Sequence, residues 1–193
     1  MIVISLFSLV LILTLVIYIR NSLVMTYQIS SIDKNNYKVV NYSDKLEAAN
    51  ILASIKEKLN ALIEHLDQNK SKYPLMESYI DRLSTIFPST VISENNPFSS
   101  YTSYNYNKGE EIVFCLRSKE TKEIYDINLI LYVALHELAH IGSPVFGHGE
   151  DFVKVFKFIT RISVDIGIYQ KIDFDQSPSK YCGIEITNSI VWF

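Results

Sequence analysis

The sequence predicts an α+β domain: amphipathic helices, a small antiparallel β-hairpin, and a central helix carrying a His-Glu-x-x-His motif, all preceded by an N-terminal transmembrane helix. Three observations lead to this prediction. An uncharged apolar run opens the chain, apolar residues recur at helical spacing in several later segments, and two β-prone runs flank a turn signal. We therefore expect three parts: an anchor at 1–20, a polar connector at 21–42 and the folded domain at 43–193.

Composition narrows the classes of function and partner. The 193 residues carry 18 basic and 21 acidic side chains, a net charge of -3. No global basic field attracts nucleic acid, so we do not expect DNA or RNA as a partner. Cys115 and Cys182 lack the spacing of a metal-binding pair. We expect two free, buried thiols in a reducing compartment, with one disulfide as the alternative.

The first segment has the composition of a membrane anchor. Residues Ile2 to Ile19 are uncharged and rich in Ile, Leu and Val, and Arg20 follows them. About 18 residues at 1.5 Å rise nearly span the hydrocarbon of a bilayer. A cleaved signal peptide would need a basic start and a small-residue cleavage site, and neither is present. Arg20 on the C-terminal flank predicts a single-pass membrane protein with its domain on the cytoplasmic side.

The domain begins with helices and continues into a hairpin. Apolar residues at helical spacing predict one helix from Asp44 to about Gln68 and a shorter one from Leu75 to Phe87, followed by a loop at 89–99. His65 on the first helix is expected to be solvated. Tyr101–Tyr106 and Glu111–Leu116 are predicted strands around Asn107-Lys108-Gly109-Glu110, and a final strand is predicted at 184–187.

The motif lies on the next predicted helix, Ile127 to Ile141, which Asp126 would cap. Residues four apart project from the same helix face, so His136 and His140 could bind one ion, and zinc favours imidazole nitrogen in tetrahedral sites. Glu137 beside them can take a proton from water activated by the metal. The alternative is a buried helix that carries two histidines without a metal.

A catalytic zinc site needs a third protein ligand. Gly142, Ser143 and Pro144 end the helix, and the chain can then turn back toward the motif. His148 stands between Gly147 and Gly149, which permit unusual backbone angles. We therefore favour His148 as the third ligand. Asp165, on an amphipathic helix that starts at 150 or 151, is the alternative.

Two segments of the sequence resemble a known family. His136-Glu137-Leu138-Ala139-His140 followed by Gly147-His148-Gly149-Glu150-Asp151-Phe152 is similar to the WLM and SprT-like (Spartan-related) metallopeptidases. In that group a histidine follows His-Glu-x-x-His, and an aromatic residue, here Phe152, comes three or four residues later. The runs at 112–117, 126–128 and 181–183 look closer still to WLM-type metallopeptidases of large DNA viruses. The resemblance covers about residues 38 to 187.

The resemblance implies a zincin-like α+β domain, with zinc on His136, His140 and His148 and with Glu137 as general base. It implies an enzyme that hydrolyses a polypeptide substrate. The anchor predicted from residues 1–20 is a departure from the known relatives, and it would lie in a host or virion membrane if the chain is viral. Known relatives cleave proteins bound to DNA, but this chain lacks their basic extensions, so that substrate is not carried over. A substrate strand could lie beside 112–116, and Tyr169 and Tyr181 are the candidates for stabilising the oxyanion.

Two other functions are compatible with the same residues. The first is a non-catalytic, membrane-anchored structural protein, such as a virion component, in which Cys115 or Cys182 would complete a closed structural zinc site. The second is a nucleic-acid-associated protease, which the acidic balance of the chain disfavours. A water-accessible position on the metal would favour the enzyme, and a thiolate in that position would favour the structural protein.

Overall fold

A computed structural model describes the backbone of residues 2–190 and the side chains of residues 6–19 and 23–190. Pairs of helices are separated by groups of two or three strands along this part of the chain, after one helix at its start. The helices are α1 (Ile2–Val24), α2 (Lys45–Gln68), α3 (Glu77–Ile86), α4 (Ile127–Gly142) and α5 (Glu150–Asp165). The strands are β1 (Met25–Ile29), β2 (Asn36–Val40), β3 (Val91–Glu94), β4 (Tyr104–Tyr106), β5 (Glu111–Phe114), β6 (Ser179–Tyr181) and β7 (Ile184–Ile186).

Helix α4 lies in the centre of the fold and is buried on nearly every side. It packs between α3 and α5, with α2 and the strands β4 and β5 also against it. The apolar stripes of α2 and α5 face the same core, as their spacing predicts. The helices predicted over 44–68, 75–87 and 127–141 are confirmed to within two residues at each end. The mixed α+β class is therefore confirmed.

A three-stranded sheet in the order β3-β5-β4 lies beside α4. The predicted hairpin is confirmed, with β4 antiparallel to β5 and Tyr104 paired with Val113. The sheet is not purely antiparallel, because β3 pairs with β5 in parallel, Ile92 opposite Ile112. The sequence had suggested a loop at 89–99. A four-residue strand whose partner is distant in the chain gives too short a pattern to be recognised locally.

Residues 21–42 are more than a connector. Met25–Ile29 and Asn36–Val40 form an antiparallel hairpin, and Tyr37, Val39 and Val40 are buried in the core. The Val40 amide donates a 2.7 Å hydrogen bond to the Glu94 carboxylate, which joins this hairpin to β3. The folded domain therefore includes β1 and β2.

The predicted anchor coincides with α1. The described large apolar side chains of this helix, from Leu6 to Ile19, are exposed. The side chains of residues 2–5 and 20–22 lie outside the described ones. Among the residues that the structure describes, no helix combines the length and the apolar character needed to cross a membrane. The transmembrane anchor predicted at 1–20 is therefore not supported.

The prediction of two free thiols is wrong, because Cys115 and Cys182 form a disulfide with their Cα atoms 6.2 Å apart. Cys115 directly follows β5, and Cys182 lies in the turn between β6 and β7. The two residues are 67 positions apart, so their proximity is a product of the tertiary fold. The bond ties the C-terminal β6–β7 hairpin to the end of the central sheet strand.

Candidate metal centre

Helix α4 presents the first two candidate ligands. Asp126 caps the helix, and its carboxylate accepts hydrogen bonds from the Asn128 and Leu129 amides at 2.9 and 3.3 Å. One turn apart near the other end of the helix, His136 and His140 project from the same face, with ring centroids 5.0 Å apart. The surrounding core fixes both rings relative to each other.

The segment 143–149 between α4 and α5 returns the third histidine to this pair. Gly147 has a φ of 84°, which lets the chain turn just before His148. The Lys108 ammonium, from the β4–β5 turn, donates hydrogen bonds to the Ser143 carbonyl at 2.8 Å and to the Val145 carbonyl. His148 remains exposed at the mouth of the site.

The three imidazoles converge on one point. The Nε2 atom of His136 lies 3.3 Å from Nε2 of His140 and 3.1 Å from Nε2 of His148. Ligand nitrogens of all three rings lie within 4.8 Å of one another. Nitrogens bound to one tetrahedral zinc at roughly 2.0–2.1 Å would be about 3.3 Å apart. The donor set therefore fits a metal ion of the size and ligand preference of zinc.

The electrostatics of the site also suit metal binding. Burial, followed by the neighbouring imidazoles, lowers the pKa of His136 to about 3. Burial, His148 and the Lys108 ammonium lower the pKa of His140 to about 4. Both rings are therefore neutral at pH 7, and a neutral imidazole nitrogen offers the lone pair that a metal needs.

The ring of Phe152, at the start of α5, packs against all three histidines. Its centroid lies 4.9 Å from that of His136, 4.4 Å from His140 and 4.6 Å from His148. The aromatic residue that the family resemblance pointed to is thus an apolar support behind the imidazoles. It limits their rotation and excludes water from that side.

Glu137 lies beside the histidines and is only 5 % exposed. Burial alone raises the pKa of its carboxyl group to about 8. The Asn105 side chain donates a 3.0 Å hydrogen bond to the Glu137 main-chain carbonyl, which ties β4 to this turn of α4. A carboxyl group with a raised pKa beside three imidazoles has the properties of a general base.

The site opens into a cleft of about 640 Å³. Residues of α4, of β4 and of the segment 143–149 line it. Tyr181 and residues 184–188, near the C-terminal end, complete the lining. The cleft gives Glu137 and the histidines access to a ligand of peptide size.

The other residues singled out in the sequence lie elsewhere. Neither Asp165, at the end of α5, nor His65, half-buried on α2, belongs to the histidine cluster. Of the two candidate tyrosines, Tyr181 lines the cleft and Tyr169 does not. Burial raises the pKa of Tyr169 to about 12. The cysteines are bonded to each other, so they provide no thiolate.

Sequence reasoning missed Lys108 and Ser103, which both line the cleft, and it kept the Cys115–Cys182 disulfide only as an alternative. Lys108 occupied a predicted turn, and turn residues give no sign of the carbonyls that they will reach. Ser103 lay in a predicted strand without any motif. Lys108 has a left-handed backbone, with a φ of 52°, beside Gly109. That conformation directs its side chain but is seen only in the structure.

The chain is similar in sequence to a known domain family and to proteins of two viruses. The WLM domain matches residues 33–176. An uncharacterized protein of Acanthamoeba polyphaga mimivirus is 40% identical over 166 residues, 86% of this chain and 84% of that protein. An uncharacterized protein of Invertebrate iridescent virus 6 is 24% identical over 123 residues, 63% of this chain and 65% of that protein.

Among solved structures, the chain is similar to Wss1 from Saccharomyces cerevisiae with a TM-score of 0.48 and 20% sequence identity. The similarity covers 65% of this chain and 84% of the yeast chain.

Proposed function

The chain belongs to the WLM-domain family, with relatives in large DNA viruses, and from this premise we propose that it is a zinc-dependent metallopeptidase. One observation carries the proposal. Three imidazole nitrogens converge beside a buried carboxyl group at the base of a peptide-sized cleft. Metal-assisted hydrolysis of a peptide bond requires neutral nitrogen ligands, a general base and an accessible substrate site.

His136, His140 and His148 would hold the ion. When bound, zinc supplies a Lewis acid that activates water and polarises the scissile carbonyl. Glu137 accepts the proton of the attacking water and later delivers it to the leaving amine. The low dielectric of its surroundings, which raises the pKa of the free carboxyl group to about 8, makes Glu137 basic enough for this transfer.

The substrate lies along β4 in this proposal. The sequence had suggested the strand at 112–116, but β5 is paired on both sides, with β3 and with β4. Strand β4 is an edge of the sheet, and Tyr104 and Asn105 line the cleft. An extended polypeptide could add to this edge by main-chain hydrogen bonds and pass Glu137.

A structural zinc protein is supported less well. Structural zinc sites are usually closed by four protein ligands. Within the described part of the chain, three histidines form the only group of metal-binding side chains, and the disulfide removes Cys115 and Cys182 as a fourth ligand. The three-ligand site with an adjoining cleft therefore favours the enzyme.

Location at a membrane, with the domain on the cytoplasmic side, stays a prediction from residues 1–20. Disulfides are rare in the cytosol, so the Cys115–Cys182 bond argues for an oxidising compartment instead. Flotation of the full chain with lipid vesicles would test membrane attachment. Alkylation of cysteines in intact cells, before and after reduction, would test the compartment.

The Glu137→Gln variant tests the function. It should bind zinc as tightly as the wild type and cleave unfolded β-casein about 10²–10⁴-fold more slowly, since only the proton acceptor is lost. Glu64→Gln, an exposed change on α2, is the matched control and should leave the rate unchanged. Equal cleavage rates for Glu137→Gln and the wild type would remove the proposed mechanism.

A further inference from the structure

The cleft that contains the histidines is also lined by a buried tyrosine that has no part in the mechanism proposed above. Tyr181 ends β6, is 1 % exposed and lines the cleft together with Ser103. Its phenol oxygen lies 2.7 Å from the Ser103 hydroxyl oxygen. A buried hydroxyl group at the edge of a reaction cleft is placed to act on whatever enters it.

The Ser103 hydroxyl belongs to a short chain of hydrogen bonds. The main-chain amide of Cys115 donates to the Ser103 oxygen at 3.0 Å. With that oxygen already accepting one hydrogen bond, the Ser103 hydroxyl can donate its proton to the Tyr181 oxygen, an arrangement that would leave the Tyr181 proton for a ligand in the cleft. Each donor in such a chain polarises the next, which strengthens the terminal donor.

Contacts on the other side hold Tyr181 in place. Its ring packs against that of Tyr125 with centroids 5.1 Å apart, and the Tyr125 hydroxyl accepts a 2.8 Å hydrogen bond from the Cys182 amide. The disulfide of Cys182 attaches the same turn to β5. The hydroxyl of Tyr181 is therefore positioned before a substrate arrives, as an effective oxyanion donor must be.

The protonation state suits a donor as well. Burial raises the pKa of the Tyr181 phenol most strongly, the hydrogen bond with Ser103 lowers it in part, and the nearby Glu137 charge raises it again, so the net direction is upward. The phenol keeps its proton throughout the neutral range. Glu137 and Tyr181 line the same cleft, close enough for the Glu137 charge to act on the phenol.

We propose that Tyr181 is a further catalytic residue, whose hydroxyl donates a hydrogen bond to the scissile carbonyl oxygen as that oxygen gains negative charge, and that Ser103 is its positioning residue. This assignment rests on the proposed peptidase function. No covalent bond to Tyr181 forms, and its proton stays on the phenol. Tyr181 lies beyond residue 176, where the WLM match ends, so the family assignment does not supply this role.

The Tyr181→Phe variant tests the proposal, because it removes the hydroxyl and keeps the ring that forms the wall. We expect kcat on unfolded β-casein to fall about 10²–10³-fold with KM within about threefold of wild type. Zinc affinity, measured against a competing chelator, should not change. Affinity for a phosphinic tripeptide, which mimics the charged oxygen, should fall by a factor similar to the fall in kcat.

Two further variants complete the test. Ser103→Ala should lower kcat about tenfold through loss of the orienting bond, and Ser103→Thr, which retains a hydroxyl, should restore most of it. Tyr169→Phe is the control, since it removes a buried tyrosine hydroxyl outside the cleft and should leave kcat unchanged.

The outcomes separate the two proposals. An inactive wild type would overturn the peptidase function and the role of Tyr181 with it. An active wild type with an equally active Tyr181→Phe variant would overturn the role of Tyr181 alone. If Tyr181→Phe does not fold, Ser103→Ala decides: reduced kcat at constant KM and zinc affinity supports the role, and unchanged kcat contradicts it.

Discussion

Two regions supply the histidines of the metal centre, and they are built differently. Helix α4 holds His136 and His140 half-buried at the edge of the core, with the rings of Phe152 and Phe156 against His136. The segment 143–149 carries His148 across the surface, where its side chain is exposed. The first region is fixed by packing over sixteen residues of helix, and the second by a few contacts.

The two regions position their ligands by different means. A packed helix sets the separation of two ligands without any help from a metal. The exposed segment must be oriented by individual contacts, here the Lys108 ammonium, the left-handed backbone at Gly147 and the ring of Phe152. We therefore expect changes in α4 to affect both folding and metal binding, and changes in 143–149 to affect metal binding alone.

Removing one ligand from each region gives the largest effects. His136→Ala and His148→Ala should each weaken zinc binding about 10³-fold, because each removes one of three ligands from a site with a total binding free energy of roughly 10–16 kcal/mol. Only His136→Ala should also destabilise the zinc-free protein, by about 1–2 kcal/mol, since its ring packs against two phenylalanines. Chelator competition and urea unfolding measure the two quantities.

The unfolding free energies of the two zinc-free variants are compared with that of the zinc-free wild type. Equal destabilisation of the two zinc-free variants would show that the exposed segment contributes to the core as α4 does, and the proposed division between the regions would be wrong.

Loosening the segment without removing a ligand should have an intermediate effect. Lys108→Met keeps the length of the side chain but removes the donor to the Ser143 and Val145 carbonyls. We expect zinc affinity to fall about 10–100-fold, the usual cost of losing a group that orients a ligand, with little change in unfolding free energy. Lys154→Met, at an exposed lysine of α5, is the control, and an equal effect of both variants would contradict the orienting role.

A backbone change at one position should have the smallest effect. At Gly147 an added Cβ would meet no atom within 4 Å, so alanine there tests only the φ of 84°. The cost is about 1 kcal/mol, which corresponds to roughly fivefold weaker zinc binding in isothermal titration. Gly149→Ala is the matched control: φ is -69° there and the space is also open, so zinc affinity should not change.

The part of the site on α4 could be predicted from the sequence because local rules determine it. The spacing of His136 and His140, the cap at Asp126 and the apolar surroundings all follow from the period of one helix. The prediction that His148 joins the pair required only that a short segment containing glycine turn back. The structure brings the three nitrogens together, and their role as metal ligands stays a proposal.

The features that the sequence did not reveal depend on distant partners. Strand β3 forms because β5, about twenty positions later, accepts it in parallel. The hairpin of β1 and β2 is stabilised by burial of Tyr37 and Val39 against the core, while the polar residues Asp33 to Asn36 between and beside its strands made the segment look like a connector. The disulfide joins residues 67 positions apart. Hydrophobic periodicity and secondary-structure propensity depend on residues that are close in the sequence. They therefore do not predict contacts between distant residues.

The location of the C-terminal cleft wall affects how relatives can diverge. The stretch 184–188 lines the same cleft as the histidines but follows the end of the WLM match at residue 176, and the disulfide at Cys182 fastens the chain just before it. We expect that the stretch behind that fixed point can vary in length and side chains without disturbing the candidate metal site. Grafting it between viral relatives should therefore exchange substrate preference and leave the chemistry untouched.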